Sequence, residues 1–77
     1  MDLTSFIEIF KEELELESSI NLETNYKDLE EWDSLNALVL IGFVSKYFDM
    51  NLTGNQIEEF STIKDIASYV GINLNDE

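Results

Sequence analysis

Two neighbouring residues in this 77-residue chain are placed to do chemistry together: Asp33 and Ser34, within Trp32-Asp33-Ser34-Leu35. They stand just before the most apolar run of the sequence, Asn36 to Phe48. Asp33 suits a helix N-cap, because its carboxylate can accept a hydrogen bond from a free N–H of the first turn. Ser34 then falls at the first helical position, on the surface, with its hydroxyl free. A helix N-terminus favours negative charge, so a phosphate ester on Ser34 would be well placed. The chain contains no histidine and no cysteine. No base is at hand to make Ser34 a hydrolase-type nucleophile, and the usual zinc sites and thiol nucleophiles are excluded as well. Ser34 therefore reads as an attachment point on which another enzyme acts, in a chain that is not itself an enzyme.

Other chemistry-bearing patterns are weaker. Glu30/Glu31 and Glu58/Glu59 are paired carboxylates. Sequence neighbours do not share a helix face, and nothing implies a cleft around them, so they read as solvated surface. Asp49-x-Asn51-x-Thr53-Gly54 matches the opening of an EF-hand loop, but the twelfth position, where the loop needs a bidentate glutamate, is Phe60. No metal site is expected.

The formal charge is −13, from 17 acidic residues against four lysines. Such a surface repels nucleic acids and anionic membranes and attracts basic protein patches and divalent cations. No apolar run is long enough to span a bilayer. Met1-Asp2-Leu3-Thr4 lacks the positive region of a signal peptide, so a cytoplasmic location is the expectation. The length suits a single domain, residues 1–77, with one small core, and a monomer.

The elements that must position Ser34 follow from periodicity. Leu3, Phe6, Ile7, Phe10 and Leu14 recur at i, i+3, i+4, i+7 and i+11, predicting a first helix from Leu3 to Leu14. Ser5-Phe6-Ile7-Glu8 fits a capping box, with Asp2 and Thr4 as alternative caps. Glu15 to Asp33 shows neither helical nor strand period, and connections this long tend to be functional. Ile20, Leu22, Tyr26 and Leu29 within it are expected to pin it to the core. Of the 17 acidic residues, 11 lie at or before Asp33.

Ser34 to Phe48 predicts a second helix, apolar nearly all round and with Lys46 as its only charge. Leu40, Val44 and Phe48, with Ile41 and Tyr47, form one stripe, assigned to the core. Leu35, Leu38, Val39 and Gly42 form another, facing outward toward a partner or else covered by the long connection. Gln56 to Phe60 predicts a short third helix. Thr62-Ile63-Lys64-Asp65 predicts the cap of a last one, which carries Ile63, Ile66, Ala67 and Val70 and stops at Gly71. The tail from Asn73 to Glu77 should fray. The fold class is all-α, a small antiparallel four-helix bundle of three main helices and one short one, with a long loop between the first and second.

At Asp33-Ser34-Leu35 the chain resembles the acyl carrier proteins and the related peptidyl carrier domains, whose second helix opens on Asp-Ser-Leu. The resemblance continues through Leu38, Leu40, Val44 and Phe48, the turn Asp49-Met50-Asn51-Leu52, Ile57 and Phe60, and the segment Ser61 to Val70. It implies a covalent 4′-phosphopantetheine arm on Ser34, taken from coenzyme A by a Mg²⁺-dependent phosphopantetheinyl transferase. Asp33 would cap the helix and help the arm's transfer. The arm's thiol would hold acyl groups as thioesters for acyl-loading and acyl-using enzymes of fatty-acid or specialised biosynthesis, which supplies the reactive sulfur the chain lacks. An aminoacyl or peptidyl cargo, or an unmodified interaction module of the same fold, are the alternatives. Leu40, Val44, Phe60 and Ile66 are the expected lining of an acyl pocket. Partner docking falls to Leu35, Leu38, Val39, Gly42 and Trp32, against basic or apolar patches. The family's housekeeping members usually carry acids along this helix; here the outward positions include Val39, Gly42, Ser45 and Lys46, and the Trp-Asp-Ser-Leu form looks more like stand-alone bacterial carriers. Trp32 has two readings, a cover for the core or a border of the arm.

Overall fold

The structure, a computed structural model, describes residues 1–74. Four α-helices follow one another: α1 (Leu3–Glu13), α2 (Ser34–Phe48), α3 (Gly54–Glu59) and α4 (Ile63–Tyr69). A single 3₁₀ turn, Tyr26–Asp28, interrupts the long connection between α1 and α2. The helices form the expected all-α bundle around one core.

Each helix start is fixed by a side chain. Asp2 caps α1 by accepting from Ser5 N–H at 2.8 Å, so of the three candidate caps Asp2 is the one used. Thr53 caps α3 and Thr62 caps α4, each within a reciprocal capping box, with Gln56 and Asp65 as the returning partners. Because Thr53 takes the cap, α3 begins at Gly54, two residues before the predicted start at Gln56, and Phe60 becomes its C-cap. The ends of α1 and α4 share one geometry. Leu16 N–H donates to Lys11 O and Ile72 N–H to Ala67 O, both at 2.9 Å, over a left-handed residue, Glu15 (φ 54°) or Gly71 (φ 88°). Leu16 and Ile72 are both buried, which completes each stop.

The core is built on aromatic rings. Phe6, Phe10 and Phe43 bury completely, with ring centroids 5.8–5.9 Å apart, and Phe48 joins Phe6 at 6.0 Å. Burying each such side chain contributes about 1.5–3 kcal/mol. Leu40, Val44, Ile57, Ile63, Ile66 and Ala67 close the remainder.

Two assignments change on the core side of α2. Phe43, absent from both predicted stripes, is the helix's central core residue, whereas Tyr47 is 38% exposed. Tyr47 lies against Phe43, and its ring carries Lys46 Nζ at 5.2 Å from the centroid. The hydroxyl gives it a reason to stay at the surface. The tail is held farther than expected, since Leu74 packs against the core; residues 75–77 lie outside the described residues.

The long connection is tied across the molecule by borrowed backbone bonds. Tyr26 N–H donates to Ser61 O, Ile63 N–H to Thr24 O and Lys64 N–H to Leu22 O, at 3.0–3.2 Å, around an isolated bridge between Asn25 and Thr62. Ile20, Leu22 and Leu29 pack on the core and Tyr26 is fully buried within it, as expected of the pins.

Candidate functional site

The site is the first turn of α2. Asp33 sits in extended backbone (φ −156°, ψ −175°), its Oδ1 accepts from Asn36 N–H at 2.8 Å, and its carbonyl accepts from Ala37 N–H at 3.0 Å. Ser34 is the first helical residue and is exposed. Among the described residues its hydroxyl has no hydrogen-bond partner, and neither do the N–H groups of Ser34 and Leu35. An unpartnered hydroxyl and two unspent donors thus lie together at the positive end of a 15-residue helix.

Beside Ser34 lies a depression of about 490 Å³, lined by Trp32, Asp33, Ser34, Ala37, Leu38, Ile57 and Glu58. Its two sides come from distant parts of the chain, the start of α2 and the middle of α3. Tyr26 joins them. Its hydroxyl donates to Ile57 O at 2.7 Å and lies 3.3 Å from Phe60 O, while Trp32 sets its ring edge-on to Tyr26 at 4.9 Å. Burial, and then the negative charges of Asp65 and Glu58, push the Tyr26 phenol up to about 12. Lys27 Nζ adds a bond of 2.7 Å to Glu58 O.

Glu31 departs from the solvated-surface reading. Its Oε2 accepts from Glu17 N–H at 2.9 Å and from Ser18 N–H and Ser18 Oγ at 3.3 Å, and its own carbonyl accepts from Asn36 Nδ2 at 2.9 Å. The bonds to its carboxylate, led by the Glu17 N–H and including those from Ser18, hold its carboxyl below the usual range. No periodic signal in the sequence could have found a carboxylate that binds backbone 14 residues away.

The structure divides the other predicted site residues into groups. Leu35 and Leu38 stand out at 66% and 65% exposure, and Gly42 is exposed beside them. Neither leucine is covered by the long connection. Val39 is half-buried and packs on the core, so it turns away from that patch. Trp32 packs on Tyr26, and it also lines the depression. Leu40, Val44 and Ile66 are fully buried, and Phe60 is half-buried against Tyr69 at 5.7 Å. None of these four lines the depression at Ser34. Ala37, Ile57 and Glu58 do line it and were not anticipated; the meeting of α3 with the start of α2 depends on tertiary packing.

A family model described as "Phosphopantetheine attachment site" matches residues 5–70. The chain belongs to the acyl carrier protein family. An "Acyl carrier protein" of Onion yellows phytoplasma (strain OY-M) is 38% identical over 53 residues, covering 69% of this chain and 70% of the relative. Another, of Phytoplasma australiense, is 33% identical over 63 residues, covering 80% and 83%. No solved structure matches.

Family membership implies a covalently attached 4′-phosphopantetheine. The residues around Ser34 fit such a group. The free hydroxyl can carry a phosphodiester, the unpartnered N–H groups of Ser34 and Leu35 suit its charge, and Trp32, Ala37, Leu38 and Ile57 give the depression an apolar wall. When bound, the group supplies the thiol on which acyl groups are carried. No helix among the described residues is long and apolar enough to cross a membrane.

Proposed function

We propose that this protein carries acyl groups on a 4′-phosphopantetheine arm attached to Ser34, and delivers them in the cytoplasm to enzymes of fatty-acid or specialised biosynthesis. The observation that carries this reading is the unpartnered Ser34 hydroxyl at the Asp33-capped start of α2, beside a depression with an apolar wall. Asp33 orients the turn through its bond to Asn36 N–H and keeps a carboxylate beside the oxygen that is to be modified. Leu35, Leu38 and Gly42 form the docking patch for the transferase and for acyl-handling enzymes, with Trp32 at its edge. Leu40, Val44, Phe60 and Ile66 would line an acyl pocket only after the closed core parts, since three of them have no exposed surface.

The test is direct. The purified chain is incubated with coenzyme A, Mg²⁺ and a broad-specificity phosphopantetheinyl transferase, and its intact mass is measured. It should gain one phosphopantetheinyl group, and Ser34→Ala should gain none. A gain that survives Ser34→Ala rejects the site. No gain at all favours the unmodified interaction module.

A further inference from the structure

The turn that carries Ser34 is gripped from outside the Asp-Ser-Leu triplet. Glu31 reaches 14 residues back along the chain, where its carboxylate takes the N–H groups of Glu17 and Ser18 and the Ser18 hydroxyl. The same residue's carbonyl takes Asn36 Nδ2, and the Asn36 N–H is the one that Asp33 caps. A continuous chain of bonds therefore runs from Glu17 and Ser18, just beyond the first helix, through Glu31 and Asn36, to Asp33 and the peptide bearing Ser34. Apart from it, Asp33 is tied to α2 by its bonds from Asn36 N–H and Ala37 N–H, and residues 30–32 are held by the Trp32 ring on Tyr26 and the local bond of Trp32 N–H to Leu29 O.

We propose that Glu31 and Asn36 are positioning residues for arm transfer to Ser34, acting as a clasp that keeps the turn in the shape the transferase accepts. The proposal rests on the reading of Ser34 as the attachment site. In that transfer the Ser34 hydroxyl gives up its proton to a base or to solvent and its oxygen forms a bond to phosphorus. The P–O bond inside the diphosphate of coenzyme A breaks, and the nucleotide half leaves. Neither Glu31 nor Asn36 touches these atoms. They raise the fraction of molecules in which the Ser34 oxygen is presented, and a partner that accepts only that fraction sees an apparent affinity reduced when the fraction falls.

This makes a kinetic signature. The KM for the carrier rises when the clasp is cut, while kcat, which reports on the bound and already ordered complex, stays the same. Glu31→Ala removes the acceptor. Glu31→Gln keeps a carbonyl oxygen that can accept from the same N–H groups. Asn36→Ala cuts the second link and leaves a good helix former at that position.

Steady-state transfer is measured for the full chain and these three variants, well below the melting temperature of each, so that loss of global stability does not register. Wild type is first confirmed to be modified at Ser34. Glu31→Ala and Asn36→Ala should each raise KM roughly 3- to 10-fold with kcat within about two-fold, and Glu31→Gln should stay within about two-fold of wild type in both. An unchanged KM in both alanine variants overturns the clasp, as does a fall in kcat alone or a Glu31→Gln as impaired as Glu31→Ala. If Glu31→Ala does not fold, Asn36→Ala decides the matter by the same criteria. A wild-type chain that takes no arm rejects the Ser34 reading and the clasp with it. Normal modification at Ser34 beside unaffected variants rejects the clasp alone.

Discussion

The second helix and the connection that precedes it are held together in opposite ways. α2 carries its own ladder of backbone bonds, a side-chain cap at Asp33, a left-handed stop at Asp49 and a core face of Leu40, Phe43 and Val44. The connection from residue 14 to residue 33 has a single 3₁₀ turn and a few local turn bonds of its own. It is held by what it borrows: the Tyr26 hydroxyl on Ile57 O, the bridge at Thr62, and the Glu31 carboxylate on Glu17 and Ser18. Ser34 lies at the joint between the two. The helix supplies the charge environment and the connection supplies the placement, so damage to each should read out differently.

The largest expected effect is on the helix side. Phe43→Ala removes a ring in contact with Phe6, Phe10, Tyr47 and Phe48 and should cost about 3–5 kcal/mol, a large share of the stability of so small a domain. Thermal melting by circular dichroism should show loss of the whole fold. Melting unchanged within a degree or two would contradict the placement of Phe43 at the centre.

On the connection side, Tyr26→Phe keeps the ring and deletes the bond to Ile57 O, for about 1–2 kcal/mol. It also makes a pH test. The folded phenol, raised from 10.0 to about 12, keeps its proton where the unfolded chain has lost it. That stabilisation is complete below pH 10 and disappears as the pH rises toward 12. Denaturant titrations across this interval should show wild type losing more stability than Tyr26→Phe; parallel losses would remove Tyr26 as the latch.

Trp32→Ala should act on both regions. It deletes the edge-on contact with Tyr26 and one wall of the depression, so both the melting temperature and the rate of arm transfer should fall. A fall in melting alone would make Trp32 a cover and nothing more. The smallest effect is expected from salt. At a formal charge of −13, raising ionic strength or adding Mg²⁺ should raise the melting temperature by a few degrees through screening. Insensitivity to both would mean that the acids are spaced widely enough not to repel.

The same contrast explains what could be read from the chain beforehand. α2 was legible because its signals are local: Asp33 as a cap, an unbroken apolar run, and an Asp-Ser-Leu triplet pointing to Ser34. The last helix was legible through Thr62 and Gly71. The stop after α1 has the bonding of the stop after α4, yet it uses Glu15 in the left-handed region, where glycine would have announced it. The all-round apolarity of α2 blurred its faces, so Phe43 was left out of the core stripe and Tyr47 was placed in it. Around the site, Ser34, Asp33, Trp32 and Leu38 could be named from neighbouring residues. Ile57, Glu58 and Glu31 could not, because what brings them there is a hydroxyl, a lysine and a carboxylate binding backbone 14 or more residues away.

The central claim is that Ser34 is the residue modified. Cleavage after Lys27 and Lys46 isolates residues 28–46, which contain two serines, Ser34 and Ser45. Fragmentation of that peptide from transferase-treated protein should place the phosphopantetheinyl group on Ser34, with Ser45 bare. The group on Ser45, on any other peptide, or on none would contradict the account.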